Sequence, residues 1–209
     1  MSETEPTSET DLMKETRSEP HWARITTEVL APGYTVAASV LTIGLLSADP
    51  VEAWWQVPLL VVLAAGVPYL FIHGLARLGI WESRHVRPRL QRLVALLGLI
   101  VIEAIAITVL LLVGAPPLTL RLLAACLAGV IALTLVTPLV RASIHVGVLS
   151  VTAGIAASFS WPAAIALLAL SLLVGVARIY VRDHTPVEVA TGFIVGFCGG
   201  LVATMLLVP

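Results

Sequence analysis

Charge is scarce in this chain. Asp, Glu, Lys and Arg make up 12% of its 209 residues, about half the roughly 25% of a soluble domain, and the mean hydropathy is +1.00. A water-soluble globule is thereby excluded. A basic excess is missing as well. The net charge of −1 provides no electrostatic footprint for a nucleic-acid partner, and none is expected. Lysine is nearly absent, Lys14 standing alone among the basic residues, the rest of which are arginines. The two cysteines, Cys126 and Cys198, both lie in apolar runs, which rules out a disulfide framework. The N-terminus lacks the basic region and apolar core of a signal peptide, so insertion through the first span is expected.

What the chain does have is long apolar runs. Open sheet edges do not survive in lipid, so the class that remains is an all-α, polytopic membrane bundle of about six to seven transmembrane helices. A span needs about 20 mostly apolar residues. The candidates are Val29–Leu46, Val57–Leu78, Leu93–Val113, Leu118–Val140, His145–Phe159, Pro162–Val176 and Val187–Val208. The fifth and sixth are short and should extend into the polar motifs beside them. Pro68 and Pro138 fall inside spans and predict kinks. Residues 1–22 are polar and acidic and read as a disordered cytoplasmic tail, leaving 23–209 as the membrane domain. With seven spans, Arg121 faces one side and the other basic residues face the opposite side. The positive-inside rule makes the arginine-rich side cytoplasmic, in a cell-membrane protein.

Polar residues that are costly near lipid gather in three clusters. The first is Trp81-Glu82-Ser83-Arg84-His85-Val86-Arg87-Pro88-Arg89-Leu90-Gln91-Arg92, and the second is Arg141-Ala142-Ser143-Ile144-His145. The third runs from Ala177-Arg178 through Arg182-Asp183-His184-Thr185-Pro186-Val187-Glu188. An even number of spans separates each pair, so all three share one membrane face and can converge. Guanidinium forks match phosphate oxygens. One histidine can attack phosphorus while another protonates the leaving alkoxide. A carboxylate bonded to the attacking imidazole fixes its tautomer. The implied chemistry is phosphoryl transfer to histidine and then to water.

Arg178-x5-His184-x3-Glu188 resembles the third signature, S-R-x5-H-x3-D, of the type 2 phosphatidic acid phosphatase (PAP2) superfamily. Ala142-Ser143-Ile144-His145 is similar to a diverged form of its second signature, P-S-G-H. The stretch 84–92 lies where its first signature, K-x6-R-P, belongs. The resemblance covers roughly residues 57–208 and is nearest to small actinobacterial membrane members. It implies a metal-independent phosphatase that needs no cofactor and acts on a lipid or polyprenyl phosphate or diphosphate in the bilayer. By position, it makes His184 the nucleophile, with Glu188 in the aspartate position, and Arg178 the phosphate ligand. His145 becomes the general acid and Ser143 a further phosphate hydrogen bond. From the first signature, Arg92 is favoured as a phosphate contact, with His85 in the lysine position and Arg89 as an additional contact. Departures are Ala177 for Ser, Glu188 for Asp, Ala142 for Pro and Ile144 for Gly. The last introduces a β-branched side chain that resists φ > 0 and crowds an anion.

Each cluster also has a plainer reading. Residues 77–92 suit a juxtamembrane loop that sets topology or touches anionic lipid. Thr185-Pro186-Val187-Glu188 reads as a helix start with a capping box. His145 alone suits a membrane interface, and His73 suits packing. His145, His184 and Glu188 are ordinary zinc-ligand types, but neighbouring arginines repel a cation. Gly192, Gly196 and Gly200 are spaced for close helix packing. Glu103, in mid-span, is expensive unless it meets protein or water. The alternative function is a non-catalytic relative that binds anionic lipid or serves as a partner subunit. The oligomeric state is open.

Overall fold

The computed structural model describes residues 20–47, 53–79 and 89–207. Most of the acidic tail, the 80–88 stretch with His85, and the side chain of Arg89 lie outside the described residues. A short helix, α1 (His21–Val29), opens the described chain and begins two residues inside the segment assigned to the tail. It is followed by α2 (Pro32–Ser47) and α3 (Ala53–Val61). A π-helical turn, Val62–Gly66, joins α3 to α4 (Val67–Arg77). The remaining helices are α5 (Arg89–Leu112), α6 (Pro117–Val136), α7 (Ile144–Ala157), α8 (Trp161–Tyr180) and α9 (Pro186–Leu207). Helices are the only regular secondary structure among the described residues.

Five helical stretches are long and apolar enough to cross a membrane: Trp54–Arg77, Gln91–Leu112, Pro117–Val136, Trp161–Tyr180 and Pro186–Leu207. The chain is therefore a multi-pass helical membrane bundle. The other two expected spans are shorter, α2 having 16 residues and α7 having 14. At about 1.5 Å per residue they reach roughly 24 and 21 Å, less than the roughly 30 Å of a hydrocarbon core.

Prolines explain where several helices begin and end. Pro32 has no N–H to donate and starts α2, so the first span breaks from α1 at Leu30 and Ala31 instead of running from Val29. Pro68 lies in a continuous span, as expected, but its missing donor is absorbed by the π turn, where Val67 N–H bonds back to Val62 C=O. Pro138 does not kink the fourth span. It ends it, since α6 stops at Val136 and the chain turns through Thr137–Leu139. The sixth span extends into its polar motif, as α8 reaches Tyr180. The fifth does not, because Ser143 is extended and its N–H is drawn to Glu188 C=O of α9 at 3.0 Å.

That inter-helix bond depends on close contact between α7 and α9. A Cβ on Gly192 would come within 2.7 Å of Ser143 O, and those on Gly196 and Gly200 would meet the carbonyls of Gly147 and Val151. Without side chains at these positions the two backbones touch, as small residues permit in lipid. Gly154 reciprocates against Phe197 and Leu201 of α9. The glycine stripe is used inside the fold, and it carries the starts of α7 and α9 to one place.

Candidate active site

The turn between α8 and α9 is built by helix-end chemistry. Arg182 adopts φ 56°, the one positive φ of a non-glycine among the described residues. Asp183 N–H bonds Arg178 C=O at 3.1 Å, and Arg182 N–H bonds Ile179 C=O at 3.0 Å. This is a Schellman stop with arginine where glycine is usual, and it reverses the chain so that His184 returns over Arg178. Left-handed backbone costs an L-residue about 1–2 kcal/mol, and such strain gathers at functional sites. Ile144, by contrast, opens α7 with ordinary helical backbone. This position therefore makes no demand for positive φ here.

Glu188 joins the pieces. Its Oε2 accepts from His184 Nδ1 at 3.0 Å and from Thr185 N–H at 3.0 Å, while Glu188 N–H donates to Thr185 Oγ1 at 3.3 Å. Its Oε1 accepts from Arg141 Nε at 3.1 Å. The capping box and the histidine contact therefore coexist, and they share one oxygen. A carboxylate only accepts, so the proton lies on Nδ1 and the lone pair on Nε2. The His184 imidazole is buried, and its pKa is pushed down to about 4. Burial is the largest cause, with repulsion from Arg92 and Arg178 added to it and Glu188 opposing. His184 is thus neutral at physiological pH.

Three guanidinium groups lie around the His184–Glu188 pair, Arg92 and Arg178 acting on the imidazole and Arg141 on the carboxylate. Arg178 is buried and places Nη1 3.1 Å from Asp183 Oδ2. Arg141 also donates from Nη2 to Asp183 C=O at 3.2 Å. Arg92 is 5% exposed, makes no ion pair to a described residue, and its buried Nε meets no partner among them. Arg92, Arg141, Arg178, His145, Asp183 and His184 all line a single cavity of about 290 Å³. The rest of its wall is largely apolar and runs between the helices past Leu99, Leu123 and Val151.

His184, His145, Arg178 and Arg92, taken from three distant stretches of sequence, therefore share one cavity, with Glu188 bonded to His184. Ser143 is fully buried and does not line the cavity, and its Oγ has no hydrogen-bond partner among the described residues. Arg141 and Asp183 belong to the network although sequence reasoning assigned them no role. Their signal was available, since each lies within a cluster beside an assigned residue. Helix α1 also contributes, although no span or cluster in the sequence covers most of it. Trp22 packs edge-on against Tyr180 with ring centroids 5.4 Å apart, and Thr27 and Glu28 join the cavity wall. Glu103 lines the deep part of the cavity and forms no ion pair with exposed Arg121. Among the described residues, no group of three or more His, Cys, Asp or Glu is disposed to hold a metal.

Fold and cavity together define a multi-pass helical membrane protein with a cationic, histidine-bearing mouth over an apolar interior. Comparison with protein families, curated proteins and solved structures yields no match to this chain.

Proposed function

We propose that the protein is a membrane phosphatase, resembling the type 2 phosphatidic acid phosphatases, that removes phosphate from a lipid or polyprenyl phosphate or diphosphate. The observation that carries this reading is the 3.0 Å contact between His184 Nδ1 and Glu188 Oε2 in a cavity that His184 lines with Arg92, Arg141 and Arg178. Nε2 of His184 attacks phosphorus, the bond to the leaving oxygen breaks, and His145 gives that oxygen a proton. Water then cleaves the P–N bond, its proton passing to His145. The arginines supply the positive charge that other phosphoryl-transfer sites draw from a metal. Activity therefore persists in excess EDTA and falls with vanadate. The substrate tail occupies the apolar part of the cavity, and the mouth faces the cytoplasm by the distribution of basic residues.

Phosphate release from detergent-solubilised protein, presented with several lipid phosphates, tests the proposal. His184→Ala abolishes release, since no other residue can carry the phosphoryl group. A wild-type protein that releases none, or an unchanged His184→Ala rate, overturns it. One observation favours the alternative of a non-catalytic binder of anionic lipid. Asp183 already lies 3.1 Å from Arg178, so a phosphate must displace a carboxylate to reach it. Binding of anionic lipid without turnover is the result that establishes this second reading.

A further inference from the structure

On α5, Arg92, Ala95, Leu99 and Glu103 all line the cavity. These positions fall on one face of a helix of about 3.6 residues per turn, because eleven residues complete just over three turns. The stripe descends from the arginine cluster to Glu103 over roughly 16 Å at about 1.5 Å per residue. Ser39 and Thr152 line the same cavity. Their hydroxyls, however, donate to their own helices, at Thr35 C=O (2.7 Å) and Val148 C=O (3.0 Å). Glu103 makes no hydrogen bond or ion pair to any described residue. A carboxyl within a span is costly unless something polar meets it. A plain hydrocarbon tail would strip its water and leave it bare.

We propose that Glu103 is a specificity-determining residue that selects an amphiphile with a phosphate at the arginine mouth and a hydrogen-bond donor on its tail roughly 16 Å away. The donor is a hydroxyl, amide or ammonium group. A carboxyl group accepts a hydrogen bond whether or not it is ionised, so no particular protonation state is required. The inference rests on reading the mouth as a phosphate site. It goes further in favouring a donor-bearing tail over plain hydrocarbon.

Dodecyl phosphate and its omega-hydroxy derivative differ by one hydroxyl, and the extended chain is comparable in length to the stripe. Titration calorimetry on the full chain in detergent measures their binding without requiring turnover. The hydroxylated compound binds about tenfold more tightly, the upper end of the usual net return for a single hydrogen bond. Glu103→Leu removes the preference and leaves dodecyl phosphate bound at least as well. Glu103→Gln, which keeps a carbonyl acceptor, retains part of it. Omega-hydroxyhexyl phosphate, too short to reach, shows no advantage over hexyl phosphate. Equal affinities in the wild type, or a preference that survives Glu103→Leu, overturn the proposal. If neither compound binds, or Arg92→Met leaves affinity unchanged, the phosphate reading of the mouth fails and this inference fails with it. Binding with the expected preference but no phosphate release refutes only the phosphatase.

Discussion

Replacing Glu188 by Gln is the sharpest test of the site, because the carboxylate accepts three bonds through two oxygens. A glutamine carbonyl placed at the Oε2 position keeps His184 Nδ1 and Thr185 N–H, both 3.0 Å away in the wild type. Its amide then points hydrogens at Arg141 Nε–H, where the wild type has an acceptor at 3.1 Å. Arg141 is 32% exposed along its side chain, so water relieves part of this clash. The expected loss of stability is about 1–2 kcal/mol. The rate should fall much further. A phosphorylated His184 is cationic, and the negative charge beside it is gone. At about 4 Å and an effective dielectric of about 20 that attraction is about 4 kcal/mol, or roughly a thousandfold in rate. Thr185→Ala is the control. It removes the 3.3 Å bond to Glu188 N–H, costing about 0.5–2 kcal/mol of stability, and leaves the carboxylate on the histidine with activity near wild type. Phosphate release and denaturant unfolding of the three proteins decide the matter. If Glu188→Gln stays within a few fold of the wild-type rate while losing only as much stability as Thr185→Ala, Glu188 is a capping residue and its catalytic role is refuted.

Three further outcomes are expected. His145→Ala slows release of an alkyl phosphate far more than of p-nitrophenyl phosphate, because a good leaving group needs little protonation; equal slowing removes His145 as the acid. His184, with a folded pKa near 4 against about 6.5 unfolded, binds fewer protons folded than unfolded between those values. Stability therefore rises with pH from about 4 to 6.5 and is lost on acidification, by up to about 3 kcal/mol. Unfolding of His184→Gln across that window lacks this contribution, and an unchanged pH profile contradicts a buried neutral imidazole. Gly192→Ala inserts a methyl 2.7 Å from Ser143 O, so it costs about 1–3 kcal/mol and lowers activity by moving Ser143 off Glu188. Unfolding and phosphate-release measurements on that variant check both effects.

The charges around the cavity are unevenly paired. Asp183 and Glu188 engage Arg178 and Arg141, while Arg92 forms no ion pair with a described residue. A phosphate entering the cavity meets Arg92 without displacing a carboxylate, whereas reaching Arg178 requires Asp183 to yield. On the proposed reading, Arg92 is thus the arginine best placed to meet the phosphate first. It owes that role to burial beside the other cations, a property of the packed bundle.

The sequence by itself determined the membrane class and the approximate position of each long span, because hydrocarbon tolerates only self-satisfied helices. It also marked His184 and Glu188, whose four-residue offset across a helix start allows contact whatever surrounds them. That residues of the three polar clusters meet at one cavity is a result of the packing. Contacts between distant segments were decided only by the tertiary structure. The backbone approach of α7 to α9 through Gly192, Gly196 and Gly200 brings Ser143 to Glu188 and Arg141 to its second oxygen. Proline gave no unique local message: Pro138 ended a helix, while Pro68 was carried through one by a π turn, because the outcome depends on whether neighbouring groups can take up the freed carbonyl. The charge balance likewise arises from burial and from which carboxylate lies nearest, and spacing along the chain records neither.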